Sequence, residues 1–292
     1  MNKDFESSLK SIETENYLDR VFYRPIGFVI ANKLKGTGIT PNMITILSIF
    51  VGSVAGILWY FPYSLTFAFI GILSLIVANI LDCVDGQLAR LTGIKSEIGR
   101  ILDGVAGDLW FLLIYIAFAH RLNVEYNTEL FWIAVLAMAV SHLNQAAITD
   151  YYKTLHLFFL SKEKGKEFES SQQIRSRLST MPKGINRFFS KFYLYYTLCQ
   201  EWQTPELQKY LARLREKYGN DIPEDIRVQF RAKSRQLMPM IDMMTFNGLS
   251  IILFLSVIVN EVWLYLVWVI LVLNIVNILI RTKHEKMCKS FE

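Results

Sequence analysis

Long apolar segments separated by polar loops are the dominant pattern of this chain. Six of these segments are long enough, or nearly long enough, to cross a bilayer as helices. They lie at about 41–60, 64–82, 100–119, 130–149, 240–259 and 262–281. The composition agrees, because 52% of the 292 residues are hydrophobic, too many for an ordinary soluble domain. The pattern therefore predicts an all-α integral membrane protein, a bundle of six transmembrane helices.

The polar stretches around these segments predict the remaining organisation. Residues 13–35 alternate apolar and charged side chains, which is typical of a helix lying in the membrane interface. The stretch 150–238 has too many charges to enter the bilayer and predicts a helical cytoplasmic insert between the fourth and fifth spans. The predicted parts are the N-terminal interfacial segment 1–40, the membrane core 41–149, the insert 150–238, the last two spans 239–281 and the tail 282–292.

Basic residues are distributed very unevenly between the two sides of this predicted bundle. Of the 31 lysine and arginine residues, Arg121 alone falls on the side opposite to the termini. By the positive-inside rule, both termini and the insert are expected in the cytoplasm. The net charge of +5 then belongs to a face that meets anionic membrane lipids, and we expect no nucleic-acid partner. The expected location is a bacterial inner membrane, or the endoplasmic reticulum membrane if the protein is eukaryotic.

Three carboxylates stand where the second and third spans meet their cytoplasmic loop. Asp82 and Asp85 are three residues apart and share one face of a helix, while Asp103 lies in the first turns of the next span. Carboxylates are costly beside lipid, and they repel one another unless cations neutralise them. Such a group suits Mg²⁺ or Mn²⁺, which bridge carboxylates and the phosphates of a substrate.

The residues that follow these acids add groups that a bound phosphate would need. Gly86 and Ala89 leave room for a ligand to approach the helix backbone, and Arg90 offers a forked donor. The structural alternative is that the acids form ion pairs with Arg90, Lys95 and Arg100 at the membrane surface. We favour the binding site because the whole pattern, and not a single acid, has a fixed spacing.

This spacing extends over both helices. It runs Asp82-x2-Asp85-Gly86-x2-Ala89-Arg90-x8-Gly99-x3-Asp103, and the first span opens with Pro41-Asn42-x-Ile44-Thr45. Both patterns resemble the CDP-alcohol phosphotransferase family. Members of that family transfer a substituted phosphate from a CDP-linked donor to an alcohol and release CMP. The resemblance covers about 20–150 well and the last two spans by topology only.

The resemblance implies a role for each residue of the pattern. Asp82, Asp85 and Asp103 would hold two divalent ions, Mg²⁺ or Mn²⁺, on the diphosphate of the donor. The CDP moiety would lie against one helix, at Asp82, Asp85, Gly86, Ala89 and Arg90. The resemblance also implies a homodimer.

The pattern departs from the family at its last acid. The family continues with an aspartate four residues after Asp103, its proposed general base, but here that position is Gly107 and the acid is Asp108. On an ideal helix, position 107 is turned ~40° from Asp103, whereas Asp108 is turned ~140°. A one-residue π-bulge, favoured by Gly104 and Gly107, would return Asp108 to the metal site as base and ligand. Otherwise the base is absent, acts through water or comes from another residue.

The resemblance implies an enzyme of phospholipid or polar-lipid synthesis. CDP-diacylglycerol is the favoured donor, with a water-soluble alcohol as acceptor. The alternative is transfer of a head group from CDP-ethanolamine, CDP-choline or CDP-inositol to a lipid acceptor. Alternatives of another class are an inactive nucleotide-binding scaffold and a cation-coupled transporter, although the chain lacks the repeats typical of transporters.

Overall fold

The computed structural model describes residues 3–94, 97–161, 163, 165, 168–219 and 221–291. Within these ranges all regular structure is helical, which confirms the predicted all-α class. Two of the predicted ion-pair partners, Lys95 and the side chain of Arg100, lie outside the described residues.

The helices follow the predicted order along the chain. The N-terminal part contains α1 (Lys3–Ser8), a π-helical turn (Asp19–Tyr23) and α2 (Arg24–Leu34). Four long helices follow, namely α3 (Pro41–Tyr60), α4 (Leu65–Thr92), α5 (Glu97–Tyr126) and α6 (Trp132–Leu160). The insert contains α7 (Ser171–Thr180), α8 (Ile185–Trp202), α9 (Pro205–Tyr218) and α10 (Glu224–Arg235). The C-terminal part contains α11 (Met238–Asp242), α12 (Phe246–Ile258), α13 (Val262–Val267), a π-helical turn (Trp268–Val272) and α14 (Leu273–Lys289).

In the part of the chain that the structure describes, five helical segments are long and apolar enough to cross a membrane. They are Pro41–Tyr60, Leu65–Thr92, Leu102–Tyr126, Trp132–Leu160 and Val262–Lys289. These five segments support the prediction of a membrane protein, because each has the length and composition of a spanning helix.

The predicted span at 240–259 is not confirmed as a sixth crossing. The chain turns at 243–245, where the backbone N–H and the Oγ1 hydroxyl of Thr245 both donate to the carbonyl of Asp242. The helix after this turn, α12, has 13 residues. It is therefore about 20 Å long, shorter than a hydrocarbon core of about 30 Å. The interfacial helix predicted at 13–35 is not confirmed as such either, since α2 is helical but its place at a membrane stays a prediction.

The chain forms two compact units. One comprises Met1–Leu143 and Phe246–Val272, and the other comprises Asn144–Thr245 and Leu273–Glu292. In the first unit, α3 packs against both α4 and α5. In the second, aromatic rings stack in the interior, for example Phe159 on Phe230 with centroids 3.9 Å apart. The predicted five-part division of the chain stays a prediction.

Small residues allow α3 and α5 to come into close contact. A Cβ atom added to Gly56 would lie 2.6 Å from the Cβ of Leu113 and 2.9 Å from its carbonyl carbon. A methyl group therefore cannot fit at Gly56 unless the backbone of α5 moves.

We expect Gly56→Ala to destabilise the protein by about 1–3 kcal/mol, the usual cost of overpacking. The measurement is the midpoint of thermal unfolding of the purified protein in detergent. Gly104→Ala is the matched control, because a Cβ added at Gly104 would have open space around it. Equal midpoints for the two variants would contradict the prediction.

Candidate functional site

Only residues 93–96 separate the two helices that carry the predicted acids. Helix α4 ends at Thr92, and its cap Gly93 has a left-handed backbone with φ of 73°. Glycine adopts this conformation at no steric cost, and α5 begins four residues later at Glu97. Asp85 lies seven residues before Thr92, and Asp103 lies six residues after Glu97. The two acids therefore lie at similar distances along their helices from the connection between them.

The structure brings Asp82, Asp85 and Asp103 together. Each offers a carboxylate oxygen, and these oxygens all lie within 4.8 Å of one another. Asp85 is buried, with 3% of its surface exposed, Asp82 is half-buried and Asp103 is exposed. The group is thus open to solvent on the Asp103 side and closed on the Asp85 side.

The chemistry of this group fits a divalent cation. Three carboxylates this close repel one another, and burial of Asp85 makes that repulsion more costly. A hard divalent ion removes the repulsion, and an all-oxygen carboxylate set suits Mg²⁺ or Mn²⁺.

Thr45, on α3, fixes the buried member of the group. Its Oγ1 hydroxyl donates to Oδ2 of Asp85 at 2.5 Å, and both side chains are buried. The sequence places Thr45 in the opening of the first span but assigns it no role, because the contact joins residues 40 positions apart. Thr45 thus fixes the orientation of the Asp85 carboxylate through one of its oxygens.

We expect Thr45→Val to weaken metal affinity by about 10–100-fold, the usual effect of losing a hydrogen bond to a ligating side chain. The measurement is the Mg²⁺ concentration that gives half-maximal turnover. Thr45→Ser is the matched control, because it keeps the hydroxyl and should keep the affinity. A normal Mg²⁺ requirement in Thr45→Val would show that this hydrogen bond does not orient a ligand.

The last turns of α4 carry the residues predicted to contact a nucleotide. The guanidinium of Arg90 lies over Gly86, where an added Cβ would come 3.2 Å from Nη2 of Arg90. Ala89 is half-buried on the same helix. The Nε of Arg90 donates to the backbone carbonyl of Ser8. The neighbouring Gln87 donates from Nε2 to Oγ of Ser8, at 3.1 Å.

The N-terminal segment thus covers part of this helix, which the sequence did not predict. Ser8 is fully buried, and a second bond from Nε2 of Gln87 reaches the carbonyl of Arg24 at 3.1 Å. These contacts join residues more than 60 positions apart, so no local sequence pattern predicts them. The alternation of serines and charges in residues 3–16 gives no clear signal either.

Arg24 supplies a positive charge next to the acidic group. Its Nε lies 3.1 Å from Oε2 of Glu15. Burial by itself would lower the pKa of the Arg24 guanidinium, but Cys83, Glu15, Asp19 and Asp82 raise it above its ordinary value. Arg24 therefore stays charged and offsets part of the negative charge of Asp82.

Asp108 lies apart from the three converging acids. Helix α5 is a continuous α-helix from Glu97 to Tyr126, without the π-bulge considered from the sequence. Asp108 is accordingly not a member of the group of three. Its Oδ1 lies 3.6 Å from Nε2 of His142 on α6, and Nδ1 of His142 shares a 2.5 Å hydrogen bond with the hydroxyl of Tyr115.

The open side of α5 next to the acids is formed by glycine. A Cβ added at Gly104 or Gly107 would have no neighbouring heavy atom within 4 Å. The face of α5 that includes position 107 therefore has room for an introduced side chain.

Comparison with known proteins gives a match to one family model over the part of the chain that carries the acids. Residues 38–168 match the family model described as CDP-alcohol phosphatidyltransferase. This match covers 131 of the 292 residues and supports the family that the sequence pattern resembles. The match includes Asp82, Asp85, Asp103 and Asp108, and it reaches past the end of α6. No protein with a curated description matches the chain.

CDP-alcohol phosphatidyltransferases are metal-dependent transferases of substituted phosphate groups, so the prediction of an enzyme is confirmed. The N-terminal segment up to residue 37 and the insert beyond residue 168 lie outside the match. The contacts of Ser8 and the helices α7 to α10 are therefore features of this chain that the family match does not cover.

Proposed function

We propose that this transferase is a metal-dependent enzyme of phospholipid or polar-lipid synthesis. It moves a substituted phosphate from a CDP-alcohol, with CDP-diacylglycerol favoured, to an alcohol acceptor and releases CMP. The observation that carries the proposal is the convergence of the Asp82, Asp85 and Asp103 carboxylates within 4.8 Å. The family match supports the type of reaction.

In this proposal the acids of α4 and α5 would hold two divalent ions at the donor site. Asp82, Asp85 and Asp103 hold Mg²⁺ or Mn²⁺, and bound ions stabilise the charge on the diphosphate and on the CMP leaving group. Thr45 keeps Asp85 in its ligating orientation. Gly86, Ala89 and Arg90 lie along the CDP moiety, which then competes with Ser8 for the guanidinium of Arg90.

Asp108 is the proposed base, and its role as a metal ligand stays a prediction. The acceptor hydroxyl loses a proton to the carboxylate as its oxygen attacks the β-phosphorus of the donor. A phosphorus–oxygen bond to the acceptor forms, and the bond to the CMP oxygen breaks. Because α5 is continuous and Asp108 lies off the face of Asp103, Asp108 reaches the hydroxyl through a bridging water.

The distribution of basic residues supports a cytoplasmic site with both termini on the same side. A cytoplasmic site has access to soluble nucleotide, Mg²⁺ and water-soluble acceptors. A homodimer belongs to the proposal through the family resemblance.

The proposal is tested by CMP release. The purified protein receives a panel of CDP-alcohols, each with a panel of alcohols and with Mg²⁺, Mn²⁺ or a chelator. We expect CMP to be released from CDP-diacylglycerol only in the presence of metal and acceptor, and the lipid formed identifies the acceptor.

Other outcomes separate the alternatives. Release from CDP-ethanolamine, CDP-choline or CDP-inositol with a lipid acceptor would replace the favoured donor. Metal-dependent nucleotide binding without release from any donor would indicate the inactive scaffold. Coupled uptake of a cation by protein-containing vesicles, without CMP release, would indicate the transporter.

A further inference from the structure

Helix α8 of the insert buries polar side chains and exposes aromatic ones. It buries Ser190, Thr197 and Gln200, whose exposed fractions are between 1% and 7%. The buried amide of Gln200 is satisfied, because its Nε2 donates to the carbonyl of Ala147 at 2.9 Å. An ordinary helix on the surface of a soluble domain would place these polar residues outside.

The outer face of α8 is instead a row of aromatic side chains. Phe188, Phe192, Tyr195 and Trp202 are 68%, 64%, 68% and 84% exposed. With Cys199, which is also exposed, they recur every three or four residues and lie within about 40° of Phe188 around the helix axis. We call these five residues the aromatic stripe. Aromatic side chains each carry about 150–250 Å² of surface, so leaving four of them in water is costly.

Positive charge flanks the aromatic stripe. Residues 183–199 contain Lys183, Arg187 and Lys191 and no acidic residue. Arg187 and Lys191 lie on one flank of the stripe, turned from Phe188 by about 60–100°. Glu201, at the end of the helix, is held by the backbone N–H and the hydroxyl of Ser171.

This charge pattern distinguishes two possible binding partners of the aromatic stripe, a second copy of the chain and a membrane surface. A second copy of the chain, paired through a two-fold axis, would bring the same basic flank against itself without an acidic partner. A membrane surface offers an apolar layer for the aromatic rings and anionic phosphates for Arg187 and Lys191. Tyrosine and tryptophan also prefer the headgroup level, where one edge of the ring stays hydrated.

We propose that the aromatic stripe of α8 inserts into the headgroup region of the membrane that the protein spans, with Arg187 and Lys191 on anionic lipid. The insert is then a second, peripheral membrane contact in addition to the spanning helices. This proposal rests on the membrane assignment and not on the chemistry proposed for the acids.

Cys199 provides a natural reporter on the stripe. It is exposed, whereas Cys83 and Cys288 are buried, so a nitroxide label is directed to position 199. The labelled full-length protein is placed in vesicles of phosphatidylcholine with phosphatidylglycerol. Electron spin resonance then compares the collision rates of the label with oxygen and with a water-soluble nickel reagent. The control is Glu216→Cys in a Cys199→Ser background, on the exposed face of α9.

We expect the label at Cys199 to lie about 5–10 Å below the headgroups, whereas the label at position 216 is aqueous. Lys191→Gln should lower the ratio of inserted to water-exposed label about fivefold, the effect of removing one charge near an anionic surface. Lys217→Gln, which removes one charge from α9, should leave the ratio unchanged.

Two results would overturn the proposal. One is a label at Cys199 that is as accessible to the nickel reagent as the label at position 216. The other is spin–spin broadening that disappears on dilution with unlabelled protein, which would place a second copy on the stripe.

Discussion

Asp103→Asn should lower the rate of CMP release by about 10³-fold. This variant removes one of the three carboxylates whose oxygens converge within 4.8 Å. The charge stabilisation that bound metal supplies is worth several kcal/mol, and about 1.4 kcal/mol corresponds to a factor of ten in rate. Asp103 is exposed, so the substitution leaves the packing of α3 on α5 intact. The measurement is initial CMP release at saturating Mg²⁺ with the donor identified by the panel.

Glu125→Gln is the matched control for this variant. It makes the same change of charge on the same helix, at an exposed position beyond the group of acids. Its rate and unfolding midpoint should equal those of the unmodified protein. If Asp103→Asn keeps a metal-dependent rate close to that of this control, the three acids are not the metal site.

Placing the carboxylate at position 107 instead of 108 should restore the rate of CMP release that is lost in Asp108→Asn. Loss of a general base lowers the rate about 10²–10⁴-fold, so we expect the rate of CMP release by Asp108→Asn to be at least about 10²-fold lower. Adding Gly107→Asp to this variant puts a carboxylate ~40° from Asp103 on a straight helix. The structure has open space for it, because a Cβ at Gly107 has no neighbour within 4 Å. The double variant should therefore regain most of the lost activity.

Each result of this comparison assigns the base differently. A normal rate in Asp108→Asn would show that Asp108 is not the base. A loss without recovery would show that the carboxylate is needed at position 108 itself, 3.6 Å from His142. Gly107→Asn in the Asp108→Asn background is the matched control, since it fills the same space without supplying a carboxylate.

The sequence predicted the acidic group well because its geometry is mostly local. Asp82 and Asp85 share a helix face by their spacing, and a short turn at Gly93 determines the level of Asp103. Thr45 and Ser8 could not be predicted in the same way. Their partners Asp85, Arg90 and Gln87 lie 40 to 82 positions away, and such contacts depend on how the helices pack.

The sixth span, which is not confirmed, shows a different limit of prediction from sequence. An average over 240–259 records the many apolar residues, but it does not register the turn in which Thr245 bonds to the carbonyl of Asp242. The helix phase of Asp108 was predictable from geometry alone, and α5 keeps that phase because it continues without a bulge. A glycine pair permits distortion of a helix but does not by itself cause it.

The bond from Arg90 to residue 8 ends on a main-chain oxygen. Every amino acid carries that oxygen, so no exchange of the side chain at position 8 removes it. The bond from Gln87 ends on the Ser8 hydroxyl and is lost in Ser8→Ala. A library of single substitutions at position 8 would therefore detect the bond from Gln87 but not the bond from Arg90. Natural selection on the side chain of residue 8 would likewise not act on the bond to Arg90. The N-terminal contact with Arg90 can therefore persist while the surrounding residues are substituted.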